Sequence, residues 1–531
     1  MDTNNLNIGD TSENGQITIV DQDRLCYLVK SVSKGATGIR TISKKLLDEF
    51  VDFFSHNPDA SSDEARRRLS GSSEIDKFEY GYSATLKTMA QMILSGINQS
   101  ISTSVEDNQL TELSYSQYLP HLTAIRTKPF ILLAGISGTG KIRIVRELAF
   151  KSCPKCLLDK DGTTPGNYCM IEVKPNWHDS TELIGYYSNI DKGFKFKKFT
   201  NFLVKAKMFP KVPFFVCLDE MNLAPVEQYF AEILSVIETR KRAPNGEIKT
   251  GVIIEPQYFK ELCKIPNPTN PETGEPCYRD LTDRQIYMKL FGINTENDID
   301  ASLHNQKDLL TEGLTLPDNV IIIGTVNMDD TTHQFSRKVI DRAMTIEMNG
   351  GNLSEMFGGS KNLEYFTDEN EQKKWQESFS QPFVSADEVL DYYPDKAEQI
   401  KIQVVDALNN INKALKGTPF EVSYRVLNEL TIMVGVMMTG QENDEELKNI
   451  INQAVDNILL MKILPRIEGD EEMFALKNDP HGNRLKLLLD IAPIAPNDNN
   501  SDAETQKPTA KDKIKEMIDR LNNQGFTRFW P

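Results

Sequence analysis

The stretch that decides the fold is FILLAGISGTGKIRIVRELAF, residues 130–150. Phe130 to Ala134 is a short, unbroken apolar run, the pattern of a parallel strand buried on both faces. Gly135-Ile136-Ser137-Gly138-Thr139-Gly140-Lys141 follows at once, and an amphipathic helix begins directly after it. Strand, glycine loop and helix in that order make a phosphate cradle: the loop's N–H groups turn inward around a triphosphate, and Lys141 reaches its outer phosphates. Glycine is required because a Cβ would hold the backbone away from the anion. The helix N-terminus adds a partial positive charge. Ile142 breaks the pattern, standing where a Ser or Thr hydroxyl normally binds Mg²⁺.

Two more apolar runs with polar tips complete a nucleotide site. Phe214 to Leu218 ends in Asp219-Glu220, and Val320 to Val326 ends in Asn327. An acidic pair at a strand end is the second part of such a site. Asp219 would hold Mg²⁺ through water, and Glu220 would orient the attacking water. A phosphate loop, an Asp-Glu pair and an Asn on three buried strands predict an α/β P-loop core of the AAA+ kind.

LDEMNLAPVEQYFAEILSVIE (218–238) and GTVNMDDTTHQFSRKVIDRAMTIE (324–347) resemble the McrB-type branch of AAA+ proteins, as do PNWHDSTELIGYY (175–187) and ILPRIEG (463–469). The resemblance covers about residues 129–470. It implies that Asn327 senses the γ-phosphate and that Arg342 is an arginine finger reaching a neighbouring subunit's site. It also implies that Arg425, in Ser423-Tyr-Arg-Val426, is the sensor arginine of an α-helical lid. A finger has work to do only in head-to-tail oligomers. The expected assembly is a homo-oligomer, a hexameric ring, that hydrolyses ATP or GTP and activates a separate McrC-type nuclease in defence against foreign DNA. DNA would be met through the N-terminal domain or the partner, since no credible nuclease site stands in this chain. No residue decides between ATP and GTP. Two rivals remain: a hydrolysis-deficient nucleotide switch or scaffold, supported by Ile142, and a MoxR-type chaperone that remodels a protein.

Composition fits this. The 531 residues suffice for several domains. A net charge of −17 excludes coating nucleic acid by bulk electrostatics, so any DNA contact is local. The N-terminal MDTNNLNIGDTSENG lacks a signal peptide's basic and apolar regions, and no apolar run approaches the roughly 20 residues of a membrane span. A cytoplasmic location is expected. The scattered cysteines suit a reducing compartment. Cys153-Pro-Lys-Cys156 lacks the second pair of a zinc knuckle.

In chain order, residues 1–22 are expected to be disordered, and 23–128 to form a small helical domain and connector. Leu46, Leu47, Phe50, Val51, Phe53 and Phe54 recur there at helical spacing. Ser61-Ser-Asp-Glu64 reads as a helix entry before Arg66-Arg67-Arg68, a triplet that suits a solvated face better than a phosphate site. The core spans 129–350, with an insertion at 241–318 expected to contact substrate or partner. Residues 351–491 form the lid. Residues 492–531 are a linker and a C-terminal helix near 511–522, with a docking tail at Gly525 to Trp530.

Overall fold

The computed structural model describes residues 17–22, 26–33, 36–58, 60–69, 86–87, 89–91, 118–158, 164–190, 193–269, 276–292, 306–328, 335–348, 369–476, 479–493 and 508–530. They divide into two units before Leu119. The first unit corrects the helical expectation. Strands β1 (Ile17–Gln22), β2 (Cys26–Ser33) and β3 (Ala36–Ser43) form an antiparallel meander ahead of the first helix, Lys44–His56. ITIV, CYLV and the Ile39–Ile42 stretch are rich in β-branched and aromatic residues joined by very short links, which favours hairpins over helix. Residues 17–22 are accordingly a strand and no part of a disordered end. Leu47, Phe50, Val51, Phe53 and Phe54 do form the buried helix face. Ser61 accepts from the Glu64 N–H at 3.1 Å, opening the helix Ser62–Leu69. Arg67 donates to the Asp63 carbonyl and Arg68 pairs with Glu64, so both serve their own helix. Phe78, Tyr80 and Tyr82, aromatics whose spacing suits core packing better than stacking on a base, lie outside the described residues.

In the second unit the apolar runs assemble into one parallel sheet. Its strands are β4 (Phe130–Gly135), β5 (Tyr168–Glu172), β6 (Phe214–Asp219), β7 (Val320–Asn327) and β8 (Met344–Glu347), in the spatial order β8-β4-β7-β6-β5. Every pairing is parallel. Phe130 to Gly135, Phe214 to Leu218 and Val320 to Val326 are buried throughout, which is why they read as continuous apolar runs and not as alternating ones. This is the parallel α/β core expected around a phosphate loop. The segment 241–318 is more than surface elaboration: Ile254, Phe259, Ile286 and Leu314 join the main apolar core. Residues 118–127, expected as connector, are a helix leading into β4.

After β8 the described chain is mostly helical: Glu369–Ser378, Ala386–Tyr392, Ala397–Leu415, Tyr424–Met437 and Asp444–Ile458. A single π-turn, Leu459–Ile463, and a tight turn at Pro465 end the last of these. The C-terminal helix, Ala510–Gln524, and its tail dock on their own unit. Phe526–Arg528 pairs antiparallel with Glu468–Asp470, Arg520 donates to the carbonyls of Arg528 and Trp530, and Lys513 pairs with Glu347 of β8 at 2.8 Å. No helix among the described residues is long and apolar enough to cross a membrane.

The buried Asp456 accepts from the Ala510 N–H at 3.0 Å, capping the C-terminal helix. Burial pushes its carboxyl up to about 6, against the pull of that N–H. With the folded value above the unfolded one, ionised Asp456 costs stability above about pH 6, and the cost vanishes as pH falls below about 4. Asp456→Asn keeps the acceptor without the charge. It is expected to gain on the order of 1–2 kcal/mol at pH 7.5, the gain shrinking between pH 6 and 4; unfolding followed at several pH values checks this.

Candidate active site

Parallel register brings the sequence-selected residues to one edge of the sheet. Asn327 is paired with Gly135, and Gly324 with Leu218, so Asn327 stands beside the glycine loop and Asp219 is level with Thr325. This is the carboxyl edge, where ligands of open α/β sheets bind. Gly138 and Gly140 have φ of 85° and 80°, left-handed values that let the loop curl back before the helix Lys141–Ser152. Ile136, Ser137 and Gly138 are exposed on the loop. Thr139 donates to the Ile136 carbonyl at 3.1 Å. Lys141 is buried and donates to the carbonyls of Gly135 and Ile136 at 3.0 and 2.7 Å. Its ammonium thus lies inside the loop that would wrap a phosphate.

The acidic pair is held from β7. Asn327 Nδ2 donates to Glu220 Oε1 at 2.8 Å, and Thr325 Oγ1 donates to Asp219 Oδ1 at 2.7 Å. The Glu220 N–H donates back to the same hydroxyl at 3.0 Å. Asn222 Nδ2 donates to the Asn327 carbonyl at 3.1 Å. Thr325 and Asn222 were missed from the sequence. The one available signal was a hydroxyl two residues before the tip of an otherwise apolar strand. A magnesium nucleotide fits this set: Asp219 offers a fixed carboxylate, and Mg²⁺ takes its remaining ligands readily from water and phosphate. Position 142 offers no oxygen, and the Ile142 side chain is 36% exposed.

The two arginines are elsewhere. Arg342 precedes β8 by two residues, on the amino edge of the sheet. Arg425 Nε and Nη2 both lie 3.0 Å from Glu238, and Nη1 is 3.5 Å from Asp341. Glu238 is bonded to Lys128, which enters β4 from that same edge. Seven residues separate Lys128 from Gly135, roughly 20 Å of extended strand. The structure therefore does not bring Arg425 over its own chain's loop; it sits beside Arg342. Glu238 would be raised by burial, but Lys128, Arg425 and Arg342 outweigh this and hold it below the usual carboxylate range.

A buried charge cluster fastens the helices after β8 here. Glu429, on the helix Tyr424–Met437, pairs with Lys128 at 2.8 Å and with Lys462 at 2.7 Å. Lys462 also donates to the Ala343 carbonyl, and Arg466 pairs with Asp341 at 3.0 Å. Burial alone would raise Glu429, yet Lys462 and Lys128 hold it low; burial pushes Lys462 down to about 8 against the pull of Glu429. The pair is ionised at neutral pH.

Comparison with known proteins gives matches that are partial in extent. A domain of unknown function, DUF8727, matches residues 378–526, the span from the end of the helix Glu369–Ser378 to the C-terminal tail. The Type IV methyl-directed restriction enzyme EcoKMcrB subunit of Escherichia coli (strain K12) is 28% identical over 147 residues, 27% of this chain and 30% of that protein. The chain thus matches under a third of that relative's length. A putative ATPase from Cytophaga hutchinsonii aligns with 69% of this chain and 90% of its own at 13% identity, with a TM-score of 0.33.

Removing one member of a buried charge cluster leaves the others unpaired, at about 3 kcal/mol or more. Glu429→Gln is expected to lower stability by that amount, and adding Lys462→Met to recover much of it, in a double-mutant cycle read by urea unfolding.

Proposed function

We propose that this chain is a nucleoside triphosphatase of the AAA+ class that works as the ring-forming motor of a McrBC-like restriction complex. The observation that carries the reading is the acidic pair at the carboxyl edge, its Glu220 held by Asn327 beside the phosphate loop. In the proposed reaction, the loop N–H groups and Lys141 bind the triphosphate of ATP or GTP. Glu220 accepts a proton from water as the water oxygen bonds to the γ-phosphorus. The bond from the γ-phosphorus to the β–γ bridging oxygen breaks, and phosphate and a nucleoside diphosphate leave. A bound Mg²⁺ would supply charge neutralisation, with Asp219 to hold it. Asn327, now bonded to Glu220, would report the γ-phosphate to that carboxylate.

Arg342 and Arg425 support assembly. Both stand roughly a strand's length from their own chain's loop, so phosphate contact by either belongs to a neighbouring subunit, as a homo-oligomeric, hexameric ring would provide. The likeness to a restriction-enzyme subunit supports a role beside a McrC-like nuclease acting on DNA. Ile142 favours a second reading, a nucleotide switch with weak or partner-dependent hydrolysis.

Three variants test the proposal, with phosphate release from ATP and GTP measured with and without DNA and the neighbouring gene's product. Glu220→Gln is expected to abolish turnover and keep nucleotide binding; turnover at the parent rate refutes the role of Glu220. Arg342→Ala is expected to lose most turnover at unchanged affinity, and mixing it with Glu220→Gln to restore part of it. No rescue in rings that exchange subunits counts against action in trans. Ile142→Thr is expected to raise the rate roughly tenfold, about 1.4 kcal/mol of barrier. No hydrolysis by either form, with partners present, hands the chain to the switch reading.

A further inference from the structure

Glu220 is the only non-glycine residue with positive φ among the described residues, at 50°. Left-handed backbone is costly for a residue with a Cβ and persists only where its surroundings impose it. Two neighbours on β7 impose it. Gly324 makes room: a Cβ there would lie 2.5 Å from Met221 Sδ and 3.0 Å from Leu132 Cδ2, so its absence lets Met221 fold over the strand directly after Glu220. Tyr229 then holds the turn, its hydroxyl donating to the Met221 carbonyl at 2.9 Å. Thr325 supplies the polar half. The residue is 2% exposed, and its hydroxyl accepts from the Glu220 N–H at 3.0 Å and donates to Asp219 Oδ1 at 2.7 Å.

In glycine-loop sites the hydroxyl that follows the lysine sits with the acidic strand's Asp around the metal. Ile142 has none. We propose that Thr325 is the positioning residue of the acidic pair, its one hydroxyl orienting Asp219 toward the metal in place of the hydroxyl absent at position 142 while locking the strained backbone of Glu220. This rests on the reading of the site as nucleotide-hydrolysing and deepens it. The geometry is economical in one respect: a hydroxyl has one proton and two lone pairs, and this one gives the proton to the carboxylate and a lone pair to the amide. Valine has the same shape and can do neither. Serine can do both.

The experiment compares the full-length parent, Thr325→Val and Thr325→Ser in two assays. One is steady-state hydrolysis against Mg²⁺ concentration. The other is binding of a fluorescent nucleoside triphosphate with Mg²⁺ and with EDTA. Thr325→Val is expected to lose tenfold or more in kcat, as befits a lost hydrogen bond to a charged group. It is also expected to need roughly tenfold more Mg²⁺ for half-saturation and to bind nucleotide in EDTA as the parent does. Thr325→Ser should recover most of both losses. Parent-like kcat and Mg²⁺ dependence in Thr325→Val overturn the proposal. So does failure of a folded Thr325→Ser to recover, since the methyl group and not the hydroxyl would then matter. If the parent hydrolyses nothing, the motor reading falls while the binding assay still decides. Mg²⁺-dependent affinity lost in Val and kept in Ser supports Thr325, and affinity equal in all three overturns it. A parent that binds no nucleotide under either condition overturns both readings.

Discussion

Backbone hydrogen bonding of Val320–Asn327 to a strand on each side is the constraint on which the rest depends. β7 lies between the strand that feeds the phosphate loop and the strand that ends in Asp219. Its register alone sets how far the loop stands from the acidic pair. A slip of one residue would turn every side chain of β7 to the other face, carrying Thr325 away from Asp219. Gly324 opposes such a slip, because any side chain brought to its place would collide with Met221 and Leu132. Precision at the site is therefore a product of packing some distance from it.

The same strands fix which residues can meet at one edge. Parallel strands put all their carboxyl ends on one edge and all their amino ends on the other. Residues that follow a strand can converge on the phosphates; residues that precede one cannot. Arg342 precedes β8, and Arg425 is anchored through Glu238 to the residue that leads into β4. The Lys128–Glu429–Lys462 cluster pins the helices after β8 to that amino edge, so they are braced where the arginines are.

Legibility in the sequence followed from how each element is buried. Strands covered on both faces appear as unbroken apolar runs with a polar tip, and so β4, β6 and β7 and their site residues could be read directly. The N-terminal strands carry weaker patterns, overshadowed by the strong helical face from Leu47 to Phe54, so the sequence suggests disorder at β1 and helix at β2 and β3. Arg425 falls in a helical pattern, but no local pattern tells on which edge of a sheet those helices will rest; that depends on charges more than 80 residues apart in sequence, such as Arg425 and Asp341. Thr325 was silent because threonine is an ordinary strand residue. Only the register with Asp219 makes it chemical.

Ile142 bears on how such a site could tolerate the loss of an oxygen ligand. Magnesium accepts water in place of a hydroxyl with little change in its preferred octahedron. The metal itself is therefore not what an isoleucine endangers. What it endangers is orientation, because a carboxylate without a hydrogen-bond donor can rotate, and an added water ligand gives it a looser grip. A donor on β7 restores orientation from below the carboxylate, out of solvent, where a hydrogen bond to a charge is worth most. It also binds the carboxylate and the Glu220 amide into one rigid unit, so that displacement of either is felt by the other. On this argument the acidic pair is organised by the sheet and not by the loop, and the residue following Lys141 is free to become apolar without dissolving the site.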